Sequence, residues 1–408
     1  MALKSLTRAQ NKIKIKDLKL NALLEVTLAI NSNLSKEKLF EIYNNVLREL
    51  EIEKIALYIN ETEWNLATFY GLKAEELSIN VKGDLVKYEE IEEVNSITDG
   101  VFKEFDIIIP VYHKTKPLAY LLIGDIINEA IQISPIIKHL PFIQTFTNII
   151  AVAIENKNLA KEAIRQERIK KELELASEMQ NMLLPTTLPK DNKLDISAFY
   201  KSHQQVGGDY YDVIWINKTE IAICIADVSG KGVSAAILMS NFQANLKAGV
   251  KHSVGLPELV QDLNQKVISS AKGEKFITMF IATYNVESRQ LTYINCGHNP
   301  PVLKNGTEII ELKDGCPGLG MLDYLPSPKI GIINILPSST LVTYTDGLVE
   351  VENNNQIEFG TKKVKSAIEE SPNTSMDELN QYLIDDVTKF KQDQPFVDDI
   401  AILSCKFI

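Results

Sequence analysis

The chain has 408 residues, 45% of them hydrophobic and 24% charged, with a formal net charge of −11. That length predicts two or three domains with real cores, and the negative balance argues against a nucleic-acid groove or an anionic membrane surface, both of which need a basic field. The four cysteines, Cys224, Cys296, Cys316 and Cys405, show no metal-ligand or redox spacing and read as buried free thiols of a reducing compartment. No apolar run reaches the roughly 18 residues a spanning helix needs, and the basic N-terminus MALKSLTRAQNKIKIKD lacks the apolar core of a signal peptide. A cytoplasmic protein without a membrane span is expected.

Residues 1–20 alternate Lys with Leu and Ile and predict an N-terminal helix or docking arm. Residues 21–150 follow as an α/β domain. Leu23, Leu24, Thr27, Leu28 and Ile30 have helical spacing, and Ser35 starts a second helix through Leu39, Ile42, Val46 and Leu50. Strand-like runs come next at 55–59, 66–70, 105–113 and 117–127, the last two joined by the turn HKTKP. A further helical pattern starts at Ser134. In this order of elements, and in IIIPVYHKTKPLAYLLIGDI followed by a helix ending TNIIAVAIENKNL, the stretch resembles a GAF domain. That resemblance carries no diagnostic motif. It implies a sensor taking a small-molecule or protein input, with a purely dimerising domain as the alternative.

Residues 146–184 contain no Gly or Pro. Ile149, Val152, Asn156, Leu159 and Ala163 follow a three-four spacing, and Ile169, Leu173, Ala176, Gln180 and Leu183 resume it displaced by one residue. Residues 151–184 therefore read as a coiled-coil-like linker that makes a homodimer, or else as a single helix lying on its own domain. Pro185 and Pro189 end the helix and open the last domain, 185–408. Its strand runs include LDISAFY, YDVIWI, IAICIAD, FITMFIATYNV and DIAILSCKF. Helical runs are fewer, at 234–250, 256–271, 360–370 and 376–390, and NG at 305–306 marks a hairpin turn. This pattern predicts an α+β domain of two packed antiparallel sheets flanked by helices.

IAICIAD is a continuous apolar run, as of a strand buried on both faces, that stops at Asp227 beside the glycine-rich turn SGKG. Asp209, Asp212, Asp346, Asp398 and Asp399 also stand next to strand-like runs and turns. Two carboxylates about 4 Å apart repel by about 4 kcal/mol at an effective dielectric of 20, and Lys231 alone cannot neutralise four acids. Taken singly each Asp reads as a turn former; taken together they suggest a divalent cation pair. Oxygen-only ligation without a His or Cys cluster selects Mg²⁺ or Mn²⁺. Gly207 and Gly208 permit close backbone approach, and Gly230 and Gly232 open a helix from Val233 whose N-terminus favours an anion.

Seven motifs in order, ASEMQNMLLPTTLP, VGGDYYDV, IADVSGKGVSAAILMS, FITMFIATYN, NCGHNPPVL, TYTDGLVE and DDIAIL, resemble the metal-dependent PPM (2C-type) serine/threonine phosphatases of the SpoIIE/RsbU branch. The resemblance implies two Mn²⁺ or Mg²⁺ ions, with Asp227 bridging both and the Val228 carbonyl on one. Asp209 would hold the second ion, and Asp346 and Asp398 the first, Asp398 being taken over Asp399 by alignment with the family's final acid motif. A metal-bridging hydroxide would then attack a phosphoserine or phosphothreonine. It further implies a phosphorylated anti-anti-sigma (STAS) protein as substrate in a partner-switching pathway. The general-acid His and phosphate-clamping Arg of many 2C-type enzymes are not identifiable. Lys231 is a candidate phosphate contact or a solvated turn residue, and His298 a candidate substrate contact or a turn residue bonded to backbone. The competing expectation is a catalytically silent scaffold that binds a partner, or a switch active only when partnered.

Overall fold

A single 30-residue helix, α1 (Ala2–Asn31), begins the structure, a computed structural model that describes residues 2–73, 77, 79–94, 100–124, 139–371 and 374–408. It runs straight across residue 20, the expected end of an N-terminal arm, because no Gly or Pro lies before Asn31 to stop it. The chain divides into two units, Met1–Glu167 and Arg168–Ile408.

In the first unit, Ser35 caps α2 (Lys36–Glu49) by accepting from the Lys38 N–H at 3.3 Å. Strands β1 (Lys54–Asn60), β2 (Trp64–Tyr70), β3 (Glu92–Glu93), β4 (Ile107–His113) and β5 (Lys116–Gly124) form an antiparallel sheet in the order β2-β1-β5-β4-β3. One face packs Ile55, Leu57, Ile109 and Leu121 against the helices; the alternate residues Ala56, Ile108, Tyr120 and Leu122 form a second small core with Phe102 and Phe105. Helix α3 (Leu140–Asn181) contributes Phe146 and Ile150 to the first core, and its Thr147 hydroxyl bonds Tyr43 of α2 at 2.7 Å. The helix start expected at Ser134 lies outside the described residues. Of the expected linker seam, Leu159 and Ile169 are exposed, whereas Leu173 and Ala176 are half-buried and Gln180 is buried.

The second unit holds two sheets. Strands β6 (Leu194–Lys201), β7 (Tyr210–Trp215) and β8 (Glu220–Val228) are followed by α4 (Val233–His252) and α5 (Leu256–Ala271). Then come β9 (Ile277–Asn285), β10 (Gln290–Cys296), β11 (Val302–Asn305), β12 (Glu308–Glu311), β13 (Gly315–Cys316), β14 (Gly331–Asn334) and β15 (Ser339–Tyr344). A one-turn helix α6 (Asp346–Val349), α7 (Gly360–Glu370), α8 (Met376–Lys391) and β16 (Ile400–Phe407) complete the chain. One sheet runs β13-β10-β9-β8-β7, with β14 also on β10, and the other runs β12-β11-β15-β16-β6.

The two sheets pack face to face through Ile223, Ile225, Leu341, Leu403 and Phe407, and Tyr284 meets Phe407 at a ring-centroid distance of 4.5 Å. Helices α4 and α5 cover the outer face of the first sheet, so β8 is buried on both sides, as its unbroken apolar run requires. Helices α7 and α8 cover the outer face of the second through Val364, Ile368, Leu379 and Leu383. Among the described residues no helix is long and apolar enough to cross a membrane.

Cys296 and Cys316, twenty residues apart, face each other across the parallel β10–β13 pair with sulfurs 3.7 Å apart. Cys224 and Cys405 are buried free thiols.

Candidate active site

The sheet registers themselves bring the acids together. Tyr210 of β7 pairs with Ala226 of β8, so Asp209 and Asp227 sit one step further along the same antiparallel pair. In the second sheet Tyr344 of β15 pairs with Ile402 of β16, which places Asp346 beside the Asp398–Asp399 segment. Both strand pairs end at the same edge of the sandwich. Asp227, Val228, Lys231, Thr278, His298, Asp346 and Asp398 line one cleft there, of about 250 Å³.

Asp227 lies within β8, which continues one residue past it to Val228 instead of stopping at the acid. Asp209 is buried, and its carboxylate accepts the Thr345 hydroxyl at 2.7 Å. Thr345 is pinned in turn, its backbone N–H donating to the Ala401 carbonyl at 3.0 Å and its Oγ1 accepting the Ala401 N–H at 2.9 Å. Asp399 does different work from Asp398. Its two oxygens accept the backbone N–H groups of His203 and Gly208, each at 2.7 Å, so it fixes the loop before β7. Asp398 faces the cleft, where Lys231 Nζ stands 2.8 Å from it.

Gly207 and Gly208 allow this closeness. A Cβ on Gly207 would fall 2.1 Å from the Tyr200 hydroxyl and 2.6 Å from Asp399 Oδ2, and one on Gly208 would fall 3.0 Å from the Val228 carbonyl.

The electrostatics are those of crowded acids. Burial, followed by the charge of Asp346, pushes Asp227 up to about 7, although a hydrogen bond with Asp209 pulls it back. Burial and then Asp227 raise Asp209 well above the carboxylate range, and burial and then Asp398 raise Asp346. Among the described residues no three acidic, His or Cys side chains converge on one point as a finished ligand set. Asp209 and Asp398 are turned instead to donors of the chain, Thr345 and Lys231.

A pH dependence follows for the chelator-treated protein. An ordinary unfolded carboxylate titrates near 3.9, and Asp227 in the fold near 7. Between these values the folded state keeps a proton the unfolded chain has lost, so this contribution to stability falls as pH rises and levels off above the folded value. Melting in EDTA should drop between pH 5 and pH 8 by several degrees more in the native protein than in Asp227→Asn, as about 2–3 kcal/mol would produce. Parallel curves would remove Asp227 from the cluster.

Asp212 does not join the other acids. It is buried at a distance from them, accepting from Tyr210 and paired with Lys247 of α4 at 3.2 Å. His298 lines the cleft but is only 6% exposed. Its Nδ1 meets Thr278 Oγ1 at 2.9 Å, and burial pushes its pKa down to about 4, so the ring is neutral at physiological pH. The Lys231 ammonium, expected to face phosphate or water, is engaged by Asp398 and the Val397 carbonyl. Three participants were missed in the sequence: Thr345, Lys275, whose Nζ donates to the Ser229 carbonyl at 2.8 Å, and Gln180, which bonds Gly207. The available signals were the threonine directly before Asp346 and a glutamine in an otherwise apolar helix seam.

The family described as Stage II sporulation protein E (SpoIIE) matches residues 217–408. The chain is 30% identical over 243 residues to the phosphoserine phosphatase RsbU of Bacillus subtilis (strain 168), covering 58% of this chain and 70% of that one. It is 25% identical over 187 residues to the phosphoserine phosphatase RsbP of the same organism, 44% of this chain but only 46% of that one. Among solved structures, the SiaA-PP2C domain of Pseudomonas aeruginosa superposes with a TM-score of 0.54 at 21% identity, over 60% of this chain and 100% of that domain. This likeness shows the fold.

Proposed function

Since the chain belongs to the SpoIIE/RsbU branch of the PPM serine/threonine phosphatases, we propose that residues 185–408 remove phosphate from a phosphoserine or phosphothreonine of a partner protein, with Asp227 at the centre of the reaction. The observation that carries this reading is the meeting of Asp227, Asp346 and Asp398 at one cleft, with buried Asp209 bonded to Asp227, and with Asp209, Asp227 and Asp346 held above the normal carboxylate range by burial and by neighbouring acids.

Such a cluster fits a pair of divalent cations. Its donors are carboxylates and the Val228 carbonyl, all hard oxygens, and the neighbouring His298 bonds Thr278 through Nδ1. Asp209, Asp227, Asp346, Asp398 and the Val228 carbonyl are the groups that would hold two Mg²⁺ or Mn²⁺ ions. Bound there, the ions supply positive charge for a phosphoryl group and lower the pKa of a water toward about 7.

The chain's own residues do the positioning. Thr345 holds Asp209, Asp399 holds the loop before β7, and neutral His298 packs the cleft wall against Thr278. Lys231, at the rim, is the proposed phosphate contact.

Similarity to a phosphoserine phosphatase named RsbU supports a phosphoprotein substrate, and we place a STAS-type protein of a partner-switching pathway in that role. The five-stranded antiparallel sheet with its helices supports a GAF-like sensor in the first unit. Exposed Leu159 and Ile169 support pairing of α3 with a second copy. The purified chain should hydrolyse an aryl phosphate when Mn²⁺ is supplied and stop when EDTA is added. Absence of metal-dependent turnover on both an aryl phosphate and a phosphorylated STAS protein would leave the scaffold, or a switch that needs its input or partner.

A further inference from the structure

We propose that Gln180, in the last turn of α3, is a positioning residue that sets the Gly207–Asp209 loop and through it the affinity of the acid cluster for divalent cations. The inference rests on the phosphatase reading above. The Gln180 side chain is buried, 7% exposed, although its helix neighbours Met179 and Met182 are 70% and 75% exposed. Its Nε2 donates to the Gly207 carbonyl at 2.7 Å, and its Oε1 accepts the Gly207 N–H at 3.1 Å. The opposite amide orientation would set donor against donor and acceptor against acceptor, so the contact admits only one arrangement.

The N–H and carbonyl of one residue belong to two successive peptide units. A single amide that holds both fixes the rotation of the chain at Gly207, where the absence of a Cβ leaves rotation least restricted. That glycine is itself required, because a Cβ there would collide with the Tyr200 hydroxyl. The very next N–H, of Gly208, donates to Asp399, and the next side chain, Asp209, accepts from Thr345. Three successive residues are thus each held by a different element, and Gln180 acts on the first of them. Thr345 and Asp399 adjoin other acids of the cluster; Gln180 does not, so it can be changed without touching a proposed ligand.

Gln180→Met keeps the length of the side chain and removes both hydrogen bonds. Calorimetric titration of Mn²⁺ into the metal-free full chain should show affinity weakened about 10–100-fold, the range seen when a group supporting a metal ligand is lost. The rate on an aryl phosphate at saturating Mn²⁺ should stay within about threefold, so that the loss appears in the metal dependence. Hydrogen exchange at the Gly207 amide of the metal-free protein should quicken. A variant that merely melts earlier, with native Mn²⁺ affinity and native exchange, would overturn the inference. Should Gln180→Met fail to fold, Gln180→Asn, whose amide stops one methylene short, should show the same weakened Mn²⁺ affinity and faster exchange, and native values in it would overturn the inference equally. If the unmodified chain neither binds Mn²⁺ nor turns over, the phosphatase reading itself has failed; if it does both and the variant matches it, only the role of Gln180 has.

Discussion

Asp227→Asn should lower phosphatase turnover by at least a thousandfold, about 4 kcal/mol of transition-state stabilisation, and should raise the melting temperature of the metal-free protein at pH 8. The two effects have one cause. Asp227 stands within β8, opposite Thr278 in the ladder, and its carboxyl bonds Asp209 and feels the charge of Asp346. It is the charge the two acid pairs have in common. Asparagine keeps the shape and a hydrogen-bonding group toward Asp209, so neither the strand nor the packing is disturbed. What is lost is an anion that would hold the cations, and with it the rate. What is relieved is the cost of a buried charge, from burial first and the repulsion of Asp346 second, which together hold Asp227 near 7. An acid that served only to stabilise the fold would change both quantities in the same direction. Initial rates on a phosphoserine protein with Mn²⁺, set beside melting curves in EDTA, read the two signs. Near-native turnover in the variant would defeat the assignment of Asp227.

How far this site could be read from residue order depends on how far apart its parts lie in the chain. The β7–β8 pair is a local hairpin, and YDVIWI followed by IAICIAD announces both strands and the acids at their ends. The β15–β16 pair is different: three helices, α6, α7 and α8, intervene, and only the resemblance to a family links TDG with DDIA. Local spelling could not separate Asp212 from Asp209, because what separates them is Lys247, on a helix that packs back over the strand. The Cys296–Cys316 contact was hidden for a similar reason. It arises from a parallel pairing, which always joins segments distant in sequence. Gln180 was visible as a polar residue in an apolar seam, but its partner was not, since a loop glycine gives no sign of which side chain will hold it.

Gly347→Ala should destabilise the chain by more than about 4 kcal/mol, a loss reserved for severe packing conflicts, and should abolish Mn²⁺ binding in whatever fraction folds. In the sequence, TDG looks like an ordinary turn. In the structure Gly347 lies within α6 and needs no left-handed backbone; what it provides is room. A Cβ there would lie 1.9 Å from the Asp399 carbonyl oxygen and 3.2 Å from the Asp398 Cβ. The obstacle is backbone, and it cannot step aside freely, because Ala401 is tied to Thr345 by hydrogen bonds of 2.9 and 3.0 Å. Relief requires moving the start of β16 away from the end of β15, which parts Asp398 from Asp346 and loosens Thr345 from Asp209. Melting in EDTA should fall by about 10 °C or more, whereas Gly100→Ala, whose Cβ would meet nothing within 4 Å, should stay within about 0.5 kcal/mol of the native chain. Comparison with Asp346→Asn separates geometry from charge. That variant removes an acid whose pKa is raised by burial and by Asp398, so it should lose Mn²⁺ affinity while gaining metal-free stability. Gly347→Ala keeps every acid and should lose both. If it melted within a degree or two of the native protein, the close approach of α6 to β16 would not be what holds Asp346 and Asp398 together.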